Sequence, residues 1–301
     1  MTDLMQLSRN RWPEILQRLG IDGALLNGKH SPCPMCGGKD RFRFTNHNGD
    51  GKYYCNQCGH GSGWDLAAEI TGMSKSAVAA EIKEMVGDIK PSKPVEPDLA
   101  KNKSRLEQMR TGLDYESQIN AKILYLRNRG LKNCKKIGFH PGLEYWDGGK
   151  SLGKHPAMVC IFSDKNGLPA TMHVTYLSAN GQKALVPSPK KIMPPCRPTT
   201  GGAIRLTDIY AEMGIAEGVE TALAVMEKFK IPCWAAATAG MLEKFEPPKE
   251  VATLHIFADA DRSFTGQAVA YSLAKRLHRD IDCRVHIPEQ IGTDYADETG
   301  D

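Results

Sequence analysis

Two C-x-x-C pairs constrain this chain more than any other feature: Cys33 with Cys36, and Cys55 with Cys58, eighteen residues apart. Each pair offers two thiolates that can grip one ion from a tight knuckle. Gly37, Gly38 and Gly59 follow the pairs and permit the turns. Four soft sulfurs in tetrahedral array select Zn²⁺, and filling all four positions makes such a site structural. A redox reading of the pairs would need a thioredoxin-like strand and helix around them, and the neighbouring sequence lacks that pattern. The remaining cysteines, Cys134, Cys160, Cys196, Cys233 and Cys283, stand singly and read as buried or incidental. A small four-cysteine zinc ribbon over about residues 27–70 is therefore expected, with helices at 8–26, 63–70 and 74–86 around it.

Between the knuckles lies "KDRFRF". Alternation along a strand puts Arg41 and Arg43 on one face and Phe42 and Phe44 on the other. The phenylalanines are assigned to packing of the ribbon's thin core. Lys39, Arg41 and Arg43 are assigned to nucleic acid, since cations beside aromatics suit a single strand.

Residues 88–104, "DIKPSKPVEPDLAKNKS", carry three prolines and many charges and have little to bury, so they read as a linker. This divides the chain into a ribbon domain at 1–87, the linker at 88–104, a basic α+β subdomain at 105–205 and an α/β domain at 206–301. A ribbon on such a linker would move relative to the rest, or act on a neighbouring molecule's site. In the third part a helix is expected through "QINAKILYLRNRG", then two strands around the Asn166-Gly167 turn. In the last part, "GIAEG", "PCWAAA", "TLHIFAD" and "CRVHIP" alternate with helices at 219–230, 240–246 and 264–279, the pattern of a mainly parallel sheet.

The formal net charge of +4 conceals a division: +3 over residues 1–110, +9 over 111–205 and −8 over 206–301. A basic middle beside an acidic end suits a polyanion held against divalent cations. No run of 18 apolar residues occurs and the N-terminus lacks the apolar stretch of a secretory signal, so no membrane partner and a cytoplasmic location are expected.

The acidic end is organised. Glu217 closes one apolar run, and Asp259 and Asp261 close another, on the same side of a strand. In an open α/β sheet, ligands bind at the carboxyl ends of strands, so these three converge there, with Glu220 in the next turn. Asp294 and Asp297 follow the last strand. Carboxylates gathered at one rim call for Mg²⁺ or Mn²⁺, which would serve phosphoryl transfer. Capping and loop roles explain any one of these acids but not the set.

"EG" after one strand and "DAD-R" after a later one resemble the Toprim fold of bacterial-type primases, type IA and II topoisomerases and some nucleases. "CPMCGGKDRFRF…YYCNQCGHGSGWDLAAEITG" is similar to the zinc ribbon of phage and plasmid primases, including the satellite-phage alpha type. "YLRNRGL", "FHPGLEYW", "PKKIMPP" and "GGAIRL" resemble the same group, so the likeness covers nearly the whole chain. It implies a DNA primase making short RNA primers on single-stranded DNA from nucleoside triphosphates, with one structural Zn²⁺ and two catalytic Mg²⁺ or Mn²⁺. Glu217, Asp259 and Asp261 match the family's catalytic carboxylates, and Asp294 is a further magnesium ligand. Lys190 matches a lysine near nucleotide or template, with Lys191 and Arg197 as basic neighbours. Arg262 and Gly266 match the turn after the paired aspartates.

There are departures. Thr221 stands where replicative primases carry an aspartate, Glu220 resembles an "EGxE" variant, and the late aspartates lack the usual spacing. "DGGKSLGKH" is not a Walker A, because the glycine required five places before Gly149 is Glu144. No helicase motor is expected, so a separate replicative helicase is expected as partner, the chain being either a fragment or a stand-alone module. Two alternatives stay open: a Toprim nuclease or topoisomerase-like enzyme, and a non-catalytic remnant that binds single strands through its ribbon.

Overall fold

The computed structural model describes residues 2–91, 98–147 and 150–297. The chain forms two compact units, Met1–Glu96 and Pro97–Asp301.

In the first unit, α1 (Thr2–Ser8) and α2 (Trp12–Arg18) replace the single helix expected over 8–26. Asn10 breaks the run with a left-handed φ of 62°, and Pro13 then starts the next helix. Four antiparallel strands follow in the order β1-β2-β3-β4: β1 (His30–Cys33), β2 (Gly37–Phe44), β3 (Tyr53–Cys55) and β4 (Gly59–Gly61). Phe42 and Phe44 are buried, while Arg43 on the other face is exposed. A reciprocal Ser62–Asp65 capping box starts α3 (Gly63–Thr71), and Ser74 caps α4 (Lys75–Met85). Trp12, Ile15, Leu16, Leu66, Val78 and Ile82 pack with Phe42, Phe44, Cys33 and Cys55 into one core. The sheet is too short to be stable alone, so it depends on these helices and on whatever ties the cysteines.

Ile89 still packs in that core, and α5 (Leu99–Thr111) starts inside the stretch read as a linker. Asp98 caps it by accepting from the Lys101 amide. Only Leu106 on this helix is buried, so its periodicity is faint in the sequence. Residues 92–97 of the expected linker lie outside the described residues. The expected continuous helix through 105–130 is in fact α5 and a separate α6 (Ala121–Arg127), started by an Asn120 cap.

The second unit is built on a nine-stranded sheet. Its antiparallel part comprises β5 (Ile137–Asp147), β6 (Lys150–Ser163), β7 (Pro169–Tyr176), β8 (Lys190–Ile192) and β9 (Ala203–Ile204). The turn between β6 and β7 falls at Asn166-Gly167 as expected, where Asp164 Oδ1 accepts from the Asn166 and Leu168 amides and Gly167 takes a φ of 86°. The long β5–β6 hairpin was not anticipated, because its edge strand is only half-buried and carries no clean alternation.

Beyond β9 come β10 (Glu212–Ala216), α7 (Val219–Lys228), β11 (Cys233–Ala235), α8 (Ala239–Glu243), β12 (Thr253–Phe257), α9 (Thr265–Leu277) and β13 (Asp282–His286). Parallel pairing sets the order β13-β12-β10-β11, and antiparallel β9 joins β11 to β6, so one sheet carries both halves. Apolar clusters cover it: Ala222, Val225 and Phe257 with Leu126 and Phe162 in one, and Ile215, Ile256, Trp234, Leu273 and Phe245 in another. No helix among the described residues is long and apolar enough to cross a membrane.

Candidate functional sites: a cysteine cluster and a carboxylate cleft

The four cysteine sulfurs lie within 4.8 Å of one another. Cys33 and Cys58 Sγ are 3.9 Å apart, and Cys36 and Cys55 Sγ 3.7 Å. Tetrahedral zinc with bonds of about 2.3 Å requires sulfurs about 3.8 Å apart, so the donor set fits Zn²⁺. Burial pushes the Cys55 thiol up, but the Gln57 and Cys58 amides, each 3.4 Å from its Sγ, outweigh that and bring it to about 7. Such amide–sulfur bonds favour the thiolate that a metal needs. Arg41 leans toward Cys36 Sγ at 3.9 Å, Arg43 Nε donates to the Gly28 carbonyl at 2.9 Å, and Lys39 is exposed. Exposed Tyr54 pairs with Arg43 on the outer face of the sheet, a neighbour the sequence alone did not single out.

The second site forms where β10 and β12 end side by side, Ala216 opposite Phe257. Glu217 is the next residue after β10, and Asp259 follows β12 by two. A cleft of about 230 Å³ opens there, lined by Glu217, Glu220, Asp259, Asp294, Lys190 and His173, with Arg129 and Lys183 at its mouth. The loop carrying Asp294 is pinned to the aspartate turn, the Ala260 amide donating to Thr293 and the Gly292 amide to the Ala260 carbonyl. Asp261 does not line the cleft. Its Oδ2 accepts from the Gly266 amide at 2.9 Å, yet its charge raises the pKa of both Glu217 and Asp259.

The electrostatics are lopsided. Burial and then the neighbouring carboxylates push Asp259 from 3.8 to about 7, and burial with the Asp261 charge raises Glu217. Burial also raises Asp294. Asp259 Oδ1 is buried with no hydrogen-bond partner. Converging carboxylates with one oxygen left orphaned are a donor set for a hard divalent cation, so the residues fit Mg²⁺ or Mn²⁺. Among the described residues only the cysteines crowd within 4.8 Å, the carboxylates standing more widely around their cleft.

Glu220 behaves differently. It is 3% exposed, accepts from Tyr125 Oη at 2.7 Å and takes an ion pair from Lys190 Nζ at 2.9 Å. Burial alone would raise its pKa, but Lys190 and the tyrosine hydrogen bond overcome this and hold it at about 2. Glu220 is thus neutralised by a lysine, and it anchors Lys190 to α7.

The other basic positions separate. Lys191 points to the opposite face of β8 from Lys190, its Nζ 3.9 Å over the Tyr145 ring, away from the cleft. Arg197 Nε donates to the Pro169 carbonyl at 3.1 Å and does not line the cleft. Arg262 is exposed in the turn after Asp261, and Asp297 lines a larger groove next door. Arg129, Lys183 and His173 were not singled out as site residues. Arg129 belongs to the quoted "YLRNRGL", but nothing local marks Lys183 or His173, which reach the cleft only through the pairing of the antiparallel half.

Two backbone features hold the turn. Ala237 adopts a φ of 76° and donates its amide to the Glu217 carbonyl at 2.8 Å, a strained conformation for alanine at the cleft wall. At Gly266 a Cβ would stand 2.6 Å from the Asp259 carbonyl oxygen. Gly266→Ala is therefore expected to displace the aspartate turn, costing about 1–3 kcal/mol of stability. Nucleotide incorporation by that variant should fall far more than its stability, about 100-fold, if a 1 Å displacement acts as in other active sites. Thermal denaturation beside an incorporation assay measures both.

Three family models match the chain. One described as a zinc-binding domain of primase-helicase matches residues 28–64, a domain of unknown function (DUF7146) matches 109–206, and a Toprim domain matches 212–300. Solved structures similar to the chain include the primase fragment of the bacteriophage T7 primase-helicase protein, 15% identical at a TM-score of 0.38 over 89% of this chain and 93% of that one. The E. coli primase catalytic core is 15% identical at 0.46, over 65% and 74%. A DNA primase domain from Pseudomonas aeruginosa is 14% identical at 0.40, over 67% and 73%. With a primase-helicase zinc-binding domain matched ahead of a Toprim domain, the chain belongs with the primases of phage and plasmid type.

Proposed function

We propose that the protein is a DNA primase that joins ribonucleotides into short primers on single-stranded DNA, using two divalent ions at the Toprim cleft. The observation that carries this reading is Asp259. Its buried, unpartnered Oδ1 stands in a cleft with Glu217 and Asp294, and the basic groups Lys190, Lys183 and Arg129 line the same cleft. Acids that hold cations next to bases that hold phosphates are what transfer of a nucleotidyl group to a hydroxyl requires.

Glu217, Asp259, Asp261 and Asp294 would hold Mg²⁺ or Mn²⁺, which when bound activates an attacking 3′-hydroxyl and neutralises charge at phosphorus. Lys190, fixed by Glu220, offers one ammonium to a phosphate oxygen at a set position, while Arg129 and Lys183 draw the triphosphate to the mouth. The Asp261–Gly266 bond keeps the turn from relaxing as charge enters. The cysteine knuckles, holding Zn²⁺, would keep Lys39, Arg41, Arg43 and Tyr54 on a stiff sheet for template contact. The reading also assigns a cytoplasmic setting, a phage, plasmid or integrated element as the genome served, and a separate helicase as partner.

The test is synthesis on pooled single-stranded templates with labelled nucleoside triphosphates and Mg²⁺ or Mn²⁺. Short template-dependent RNA is expected from the parent protein and none from Asp259→Ala or Asp261→Ala. Tight template binding without product under either metal would leave a non-catalytic strand-binding protein. Template cleavage in place of synthesis would make it a nuclease.

A further inference from the structure

His173 is a polar residue in the cleft that the proposed mechanism does not use. It lies on β7, opposite Ile192 of β8 and Cys160 of β6, with its ring on the same side as Lys190. It is 6% exposed and lines the cleft together with Glu217, Asp259 and Lys190. Its Nδ1 is buried without a hydrogen-bond partner among the described residues. Thr175, two residues on and on the same face, also leaves its Oγ1 buried and unpartnered. A buried polar atom without a partner costs about 1–3 kcal/mol, a cost that a bound guest can remove.

The chemistry of that guest is restricted. Burial, and then the Lys190 charge, lower the pKa of His173 to about 4, so the ring is neutral at ordinary pH. A neutral imidazole has one donor and one acceptor nitrogen, and it matches a group that can do both. Phosphate oxygens only accept, and they have Lys190, Lys183 and Arg129 to go to. The cleft, at about 230 Å³, is below the usual size of a site that encloses a drug-sized ligand. An adjoining groove of about 710 Å³ shares Arg129 and Lys183 with it and is lined by Tyr125, Gln182 and Leu185. A base fits that groove, which leaves sugar and phosphates to the cleft.

We infer that His173 hydrogen-bonds a ribose hydroxyl of the nucleotide bound in the carboxylate cleft, so that it reads the sugar. This rests on the nucleotidyl-transfer reading above and adds a recognition residue to it. The contacted group is the 2′- or the 3′-hydroxyl.

The test is calorimetric titration of the full chain with Mg²⁺ and no template, using a ribonucleoside triphosphate and its 2′-deoxy and 3′-deoxy analogues. The parent protein is expected to bind the ribonucleotide about ten-fold more tightly than one of the two analogues, and that analogue names the hydroxyl. His173→Phe and His173→Leu, which keep the apolar bulk of the strand, should erase the difference, chiefly by weakening ribonucleotide binding. Melting temperatures identify which of the two variants folds. Equal binding of all three nucleotides by the parent overturns the inference and leaves nucleotidyl transfer standing. A preference that survives in a folded variant also overturns it. Failure of the parent to bind any nucleotide removes both this inference and the reading beneath it.

Discussion

Asp259→Asn should abolish primer synthesis and, without metal, make the protein more stable. The carboxyl is buried beside Glu217, Asp294 and Asp261, and its pKa stands near 7 against an ordinary 3.8. Folding therefore takes up a proton between those two values. The contribution of this group to stability is complete below about pH 4 and is lost as pH rises through 7. Above that, ionised Asp259 opposes folding by up to about 4 kcal/mol, the ceiling that such a displacement implies. The amide removes the charge and with it the slope. Divalent ions should reverse the comparison. At 100 times its dissociation constant, an ion bound only by the native state adds about 2.7 kcal/mol to the parent protein, while the asparagine variant gains little. Melting curves at pH 5 and 8, with and without Mn²⁺, measure all of this. A parent protein whose stability is flat across that range, metal-free, would contradict the account of the cleft.

Stripping zinc should have the second large effect, confined to the first unit. Cys33 and Cys55 are buried in its core, and two strands of the sheet, Tyr53–Cys55 and Gly59–Gly61, are three residues long. Strands that short persist only when something ties them together. Structural zinc supplies about 10 kcal/mol or more at neutral pH. Chelation, or Cys55→Ser, is expected to release the amides of β2 and β3 to rapid hydrogen exchange. The amides of β6, β7 and β12 should keep their protection, since the second unit has cores of its own. Template binding should fall at least 100-fold. Loss of protection across the whole chain would mean that the two units are not independent.

Much of this was legible before folding. The knuckle spacing, "KDRFRF" and the acids closing "GIAEG" and "TLHIFAD" are local patterns, and each depends only on strand alternation or on residues a few places apart. That is why the ribbon, the parallel strands and the positions of Glu217 and Asp259 could be read from the chain. The start of α5 was misjudged because three prolines and many charges conceal a helix with a single buried side chain. The β5–β6 hairpin escaped because its edge strand has no clean period.

What remained hidden concerns partners far apart in the chain. Lys190 and Lys191 are adjacent and chemically alike, but the pairing of β8 with β7 turns one toward Glu220 and the other onto Tyr145. Asp259 and Asp261 look equivalent, but the Gly266 amide takes up one oxygen of Asp261 and leaves an oxygen of Asp259 bare. Glu220 reads as one more metal ligand until Tyr125 and Lys190 arrive from two other elements to neutralise it. His173 carries no mark at all until the antiparallel half brings it beside the carboxylates. Residue type and short spacing fix which groups are available for chemistry. Charge state and access depend on desolvation and on neighbours tens of residues away, and these arise only when the sheet closes.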